Sequence, residues 1–501
     1  MTRRLRLVVV GAGVAGLEAL VALHALAPGR IDATLLEPRP TFRLRALDVG
    51  EPFGLGRARR YPVADLARDL GATLVADTLD RVDPGARVAI LPCGRALAFD
   101  VLVLATGARP YPAMSTGVLF DPVHGPAALE ALAASPGGHT AVVAPAGVGW
   151  TLPAYETALS LSGMPGAQVT LVTAEREPLE AFGAPAGRMV REELEIDGVH
   201  LVTGTRAVAQ SRTRLAFESG TGLDVDRIVH LPRLVGPGIA GVPCDSSGFL
   251  LAGDDGAVPG ADGIYAVGDG TATPIKQGGL AAQQAEAAAY AIAVRAGADV
   301  ERPPVRPVLR GVLRTRRGLR YMVAEPPGGA GAVEISSHSL WWPPTKVASS
   351  WLMPWLTTRD AHRGAPGRPA ARSPGEPHGT FRRTVGAGRA VTFDARATGG
   401  TGWRVAPADH GVGEPMTLAD ALALLPGEEH AAALAVHAAA LDATCALIAT
   451  LHGDARTIHD SQRLGRLARL AGRARALAAE LGAVRREASP WVEPRGRATM
   501  V

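Results

Sequence analysis

Cysteine is the scarcest reactive chemistry in this chain of 501 residues: there are three, Cys93, Cys244 and Cys445, far apart in sequence. They form no CxxC pair and no disulfide framework, which excludes a bridged scaffold and fits a reducing cytoplasm. An excess of charge of one sign is also missing. Lys and Arg number 52 against 48 Asp and Glu, a net +4 that is too balanced to argue for nucleic acid as a partner. Nearly all of the cations are arginine, beside abundant Ala, Gly and Pro, which reflects a GC-rich genome more than a function. No run of 18 apolar residues is free of charge and proline, so no transmembrane segment is expected. His430, His437 and His452 have no compact ligand spacing, and no metal is expected. What is left is the composition of a soluble globular protein, 47% hydrophobic and 20% charged, long enough for two or three domains.

The chain is organised around its start. Leu7-Val8-Val9-Val10 reads as a buried parallel strand, and Gly11-Ala12-Gly13-Val14-Ala15-Gly16 follows at once. Leu17, Leu20, Val21 and His24 then recur at helical spacing until Pro28-Gly29, and a second strand, Ala33-Thr34-Leu35-Leu36, ends at Glu37. Strand, glycine turn, helix, strand and terminal acid make up a dinucleotide fingerprint. Gly11 permits the tight turn, Gly13 lets the backbone approach a pyrophosphate, and Gly16 lets helix and strand pack closely. The helix N-terminus supplies unpaired N–H groups for the phosphates, and Glu37 can accept hydrogen bonds from a ribose. Arg3, Arg4 and Arg6 before an apolar stretch also look like a twin-arginine signal, but cleavage would remove the glycines and the first strand. These residues are therefore expected to be part of the mature fold.

A Pro- and Arg-rich segment runs from Pro38 to Tyr61, and short strands follow around Leu74-Val75 and Arg87 to Ile90, with Cys93-Gly94 in a turn. Phe99 to Leu104 reads as another buried strand, closed by Ala105-Thr106-Gly107 about 90 residues after the fingerprint. Much later an apolar strand delivers Gly268-Asp269. These three motifs together resemble the FAD-dependent pyridine nucleotide–disulfide oxidoreductase superfamily. Pro274 to Leu280 and Trp342-Pro343-Pro344-Thr345-Lys346 resemble its branch near sulfide:quinone oxidoreductases and type II NADH dehydrogenases, over roughly residues 5–360. The resemblance implies an FAD site built from Gly11, Gly13, Val14, Ala15, Gly16, Glu37, Thr106, Gly107, Gly268, Asp269, Lys276, Gln277 and Gly278, with Asp269 at the ribityl chain and pyrophosphate. It also implies that Lys276 and Gln277 stand at the pyrimidine edge of the flavin, to tune it or to contact the acceptor. A solvated Lys276 is the alternative.

Where the superfamily inserts a nicotinamide nucleotide domain, Thr140 to Val143 reads as a strand, Leu152 to Leu161 as a helix and Gln168 to Val172 as the next strand. The intervening turn carries Gly147 and Gly149, but Leu152 takes the place of the third glycine, beside Trp150 and Pro153. Leu152 is expected to force helix and strand apart or to fill the phosphate approach, so NAD(H) binding is doubtful. Glu175, after the second strand, stands where a ribose-binding acid would sit and keeps NADH open.

The fold class expected is α/β: two Rossmann-like dinucleotide-binding domains, the FAD domain being interrupted by the second, plus a mainly helical C-terminal extension. The boundaries are 1–113 and 236–300 for the FAD domain, 114–235 for the degenerate NAD(P)-type domain, 301–360 for an acceptor region with strands and clustered tryptophans, 361–380 for a flexible linker, and 381–501 for the extension. In the extension, residues 381–415 carry weak strand signals, Thr417 starts a short helix, and Glu428 to Leu451 and Ser461 to Val484 read as longer ones. The last has an apolar stripe flanked by arginines, which packs on a neighbouring helix or lies on a membrane surface. No cysteine occurs between Thr41 and Tyr61, where disulfide reductases of the resembling superfamily keep their pair, and no cysteine relay for sulfide can be assembled. Three functions stay open: an FAD-dependent oxidoreductase with an unassigned donor and a quinone as candidate acceptor, an NADH:acceptor dehydrogenase, or a non-catalytic flavin-binding sensor. Peripheral membrane contact at the inner face and a homodimer stay open with them.

Overall fold

The structure, a computed structural model, describes residues 3–55, 58–120, 125–134, 137–325, 327–328, 331–341, 343–363, 380–385, 389–394, 403–407, 414–415 and 418–424. It divides into two compact units, Met1–Pro354 and Trp355–Val501.

In the first unit β1 (Leu5–Val10) is the middle strand of a five-stranded parallel sheet and is followed by helix α1 (Val14–Leu26). Leu7 to Val10 are buried on both faces, as a β-branched run between two neighbours requires. Arg3 and Arg6 both pair with Asp100, at 2.7 and 3.0 Å, and so tie the start of the chain to the foot of the adjoining strand. β2 (Ile31–Leu36) and Thr73–Val75 lie on one side of β1, and Val101–Leu104 and Ile264–Ala266 lie on the other. α1 packs against a long helix, Gly278–Arg295, whose buried face is largely alanine. The small side chains let the two helices approach closely.

Between Leu104 and Ile264 the chain builds a second parallel sheet, ordered Val118–Leu119, Arg227–His230, Gly138–Ala144, Ala167–Thr173, His200–Val202. Helix Leu152–Ser162 crosses over between its two longest strands. An antiparallel sheet, Leu309–Thr315 with Gly318–Glu325 and Ala332–Ser336, then packs on that helix. Leu309, Leu313 and Met322 join Leu152, Tyr155 and Phe182 in one core.

Trp341 and Trp351 have packing partners and do not line the cavity described below. The Trp341 ring meets Tyr321 edge-on at 5.3 Å and its Nε1 donates to Thr345 O at 3.0 Å. Trp351 Nε1 donates to Glu286 at 3.3 Å.

The described part of the second unit comprises residues 355–363 of helix Leu352–Arg363, a four-stranded antiparallel sheet, Thr380–Val385, Arg389–Asp394, Trp403–Pro407 and Glu414–Pro415, and helix Leu418–Leu424. The linker expected over Gly364 to Gly379 and the helices expected over 428–451 and 461–484 lie outside the described residues. Among the described residues no helix is long and apolar enough to cross a membrane.

Candidate functional site

A cavity of about 670 Å³ opens at the C-terminal ends of the first sheet, where open α/β sheets bind ligands. It is lined by the fingerprint turn, by Thr106 and Gly107, by Gly268 and Asp269, and by Lys276 to Gly278. These four separate stretches of the chain thus meet there as the sequence motifs require. Gly11 has φ +102°, and a Cβ on it would stand 2.4 Å from Ala105 O; one on Gly16 would stand 1.9 Å from Gly11 O. These two glycines lock turn, helix and strand together. A Cβ on Gly13 would meet nothing within 4 Å. Gly13 is also the N-cap of α1 and has no side chain to bond the helix's first N–H groups. An open glycine below unpaired N–H groups is a cradle for a diphosphate.

Glu37 is 2% exposed, and its carboxylate is fully engaged. Oε2 accepts from Ala12 N at 2.7 Å and from Arg39 Nη2 at 2.9 Å, while Oε1 accepts from Arg39 N and Nε at 2.9 and 2.7 Å. These bonds, with the Arg39 guanidinium foremost, hold its pKa down against burial. Glu37 therefore pins the glycine turn, and a ribose reaches its oxygens only when the Arg39 fork moves aside. Asp269 is different: among the described residues its carboxylate has no hydrogen bond or ion pair. Burial pushes its pKa up, and Lys276 and Arg45 oppose that shift. An unpartnered carboxylate in the cavity wall suits the hydroxyls of a ribityl chain. The fingerprint cradle and this acceptor together fit FAD.

Lys276 is 8% exposed, which removes the solvated alternative. Its Nζ donates to Thr271 O and stands over the Phe249 ring, 3.8 Å from the centroid. Burial lowers its pKa, opposed by Asp269 and Asp245. Gln277 caps the following helix: its Oε1 accepts from Leu280 N at 2.9 Å, and its Nε2 donates to Arg310 O at 2.9 Å. It is thus a fixed wall of the cavity, with its amide bonded on both sides. Sequence reasoning missed a third polar feature. Lys346 pairs with Glu156, whose side chain is 3% exposed and also accepts from Arg314 N at 3.0 Å. Both residues line the cavity. The signal available was scarcity: the sequence has two lysines, Lys276 and Lys346, and both are here.

The second glycine turn looks unlike the first. Gly149 stands where Gly13 stands, but a Cβ on it would meet Lys276 Cγ at 2.7 Å and Pro274 O at 2.9 Å. Lys276 N also donates to Gly149 O at 3.1 Å, so the 274–276 segment covers this turn. Leu152 is 2% exposed and buried in the core. Pro153 removes one donor from the helix start. Glu175, expected as a ribose acid, accepts instead from Thr151 Oγ1 at 3.0 Å, Tyr155 Oη at 2.7 Å and Thr173 Oγ1 at 3.2 Å. Burial pushes its pKa up and these donors oppose the shift. Cys93 and Cys244 are exposed and neither lines the cavity.

Comparison with known proteins agrees with this fold. Residues 5–290 match the family model described as pyridine nucleotide-disulphide oxidoreductase. No curated protein matches the sequence. Among solved structures, the sulfide:quinone oxidoreductase of Aquifex aeolicus is 21% identical with a TM-score of 0.59, covering 66% of this chain and 87% of that one. The covalent putidaredoxin reductase–putidaredoxin complex is 22% identical with a TM-score of 0.52, over 65% and 82% of the two chains. An NAD-dependent persulfide reductase from A. fulgidus is 18% identical with a TM-score of 0.52, over 64% of each. With its family model matched over more than half its length and its cavity fitted to FAD, the chain belongs to the pyridine nucleotide-disulphide oxidoreductases and is an FAD-dependent oxidoreductase.

Proposed function

We propose that this enzyme passes electrons between its flavin and a quinone, and that its donor is not a nicotinamide nucleotide. One observation carries the reading: the approach to Gly13 is open, and the matching approach at Gly149 is filled by Lys276 and Pro274. A diphosphate fits the first turn and meets protein at the second. The second turn has also lost its third glycine to Leu152 and its ribose acid to three local donors. The helices and sheet of this domain remain, as a wall of the flavin cavity.

That wall is suited to a flat apolar molecule. Phe120, Val148, Trp150, Leu152, Pro153 and Leu234 face the cavity on the side of the second sheet, with the Lys346–Glu156 pair among them. FAD, when bound, supplies two-electron transfer; the chain's share is to exclude water and to hold protons for an acceptor that takes up both. The resemblance to a sulfide:quinone oxidoreductase names the acceptor class, while the missing cysteine relay sets the donor apart from sulfide.

The test is anaerobic. Protein reduced chemically to the end point should regain its flavin spectrum when a short-chain quinone is added in equimolar amount. A flavin that stays reduced with benzoquinone, naphthoquinone and ubiquinone analogues alike would overturn the acceptor assignment.

A further inference from the structure

Four arginines, Arg39, Arg43, Arg45 and Arg60, stand along one wall of the cavity. Three are matched to carboxylates. Arg39 holds Glu37 at 2.7 Å, Arg43 meets Asp48 at 2.9 Å and Glu51 at 3.0 Å, and Arg60 meets Glu51 at 3.2 Å. Among the described residues the Arg45 guanidinium has neither a hydrogen bond nor an ion pair; only its backbone carbonyl is engaged, accepting from Asp48 N at 2.9 Å. Of these four guanidinium groups, the one on Arg45 makes no salt bridge to Glu37, Asp48 or Glu51.

Arg45 is exposed, and the fold fixes where its backbone starts. Arg45 opens a single 3-10 turn, Arg45–Leu47, directly after strand Thr41–Arg43, and the intervening Leu44 is buried. Its neighbours bracket it. Glu37, at the fingerprint turn, and Asp269, across the cavity, both lie within reach of its charge. A dinucleotide laid from the first to the second has its ribose at one end, its ribityl chain at the other, and its diphosphate in between. Gly13, at the uncapped N-terminus of α1, lines the same cavity as Arg45.

We propose that Arg45 closes the diphosphate site of FAD from the side facing α1, as a forked partner of the phosphate oxygens. The inference rests on the flavin reading above and names a phosphate ligand that lies outside all three sequence motifs. A planar guanidinium offers two parallel N–H donors in the geometry a phosphate accepts, and it keeps its charge at any working pH. In the other three arginines the fork is already occupied by carboxylate.

The experiment uses the full chain, stripped of flavin and titrated by fluorescence quenching with FAD and with riboflavin, which has the same ring and no phosphate. Arg45→Ala should weaken FAD binding about 10- to 100-fold, the range for loss of a charge-assisted contact. It should leave riboflavin affinity unchanged and make FAD affinity less sensitive to salt. Arg45→Lys should recover part of the loss. Unchanged FAD affinity in Arg45→Ala, or an equal loss for riboflavin, would overturn the proposal. Wild-type protein that binds neither flavin would instead overturn the flavin reading itself.

Discussion

Gly13 and Gly149 occupy the same place in two versions of one turn and differ in what lies beyond them. The space over Gly13 is empty of protein, and that over Gly149 holds Lys276 and Pro274. A side chain at Gly13 therefore has room in the protein and none beside a bound diphosphate. Gly13→Val should fold with wild-type stability and purify flavin-poor, as absorbance of the purified protein would read. Gly16→Ala makes the contrast: its Cβ would stand 1.9 Å from Gly11 O, so it should fail in folding before it fails in binding. A flavin-replete Gly13→Val would remove the fingerprint from the site. The first turn was legible in the sequence because the atoms that need Gly11 and Gly16 to be small lie in the turn itself or in Ala105-Thr106, which the sequence marks as a motif of its own. The blockage at Gly149 was not legible, since the atoms that cause it arrive from residues 274–276. Glu37 was half legible. Its place at the end of β2 was plain, but its saturation by Arg39 depends on side-chain geometry that spacing does not encode.

At the scale of elements, two buried carboxylates bind parts of the fold that the sequence left unconnected. Glu156 on helix Leu152–Ser162 holds Lys346, beyond the antiparallel sheet, and accepts from Arg314 N within it. Removing one partner leaves a buried charge alone, which costs about 3–5 kcal/mol, whereas removing both costs much less. Lys346→Met should lower the unfolding temperature markedly and Glu156→Gln/Lys346→Met should restore most of it, as thermal denaturation would show. Additive losses in the double variant would mean that the pair does not act as a unit. Glu18, in the middle of α1, is the second case. It is fully buried and accepts from Ser350 N, Trp351 N and Leu352 N at 3.1, 3.0 and 2.6 Å, which caps helix Leu352–Arg363. Burial pushes its pKa from 4.5 up to about 7, against those donors. The native state thus holds a proton that the unfolded chain has lost between the two values. The stability this provides is complete below the lower value and is lost as pH rises through the higher one. Unfolding temperature should fall between about pH 5 and about pH 8, and Glu18→Gln should flatten that slope. Equal slopes in the two proteins would remove Glu18 as its source. Neither link could be read from sequence, because in each case the partners come from segments with no shared motif.

For the whole molecule, the family resemblance was carried by three short motifs that the first parallel sheet brings to one end. Every residue lining the cavity lies between Ala12 and Val347, inside the unit Met1–Pro354. The motifs pointed to the cofactor because the resemblance has each of them meet FAD through backbone or a single acid. They left the donor undecided, because that depends on whether the second domain still admits a nucleotide, a matter of packing between distant segments. The central claim is that this domain has kept its fold as a wall of the flavin cavity and closed its nucleotide site. The measurement that tests it most directly is an anaerobic titration of the purified oxidised protein with NADH and, separately, NADPH, followed by the visible flavin band and then by dithionite. The account predicts that the band persists at large excess of either nucleotide and bleaches with dithionite. Stoichiometric bleaching by NADH or NADPH would contradict it.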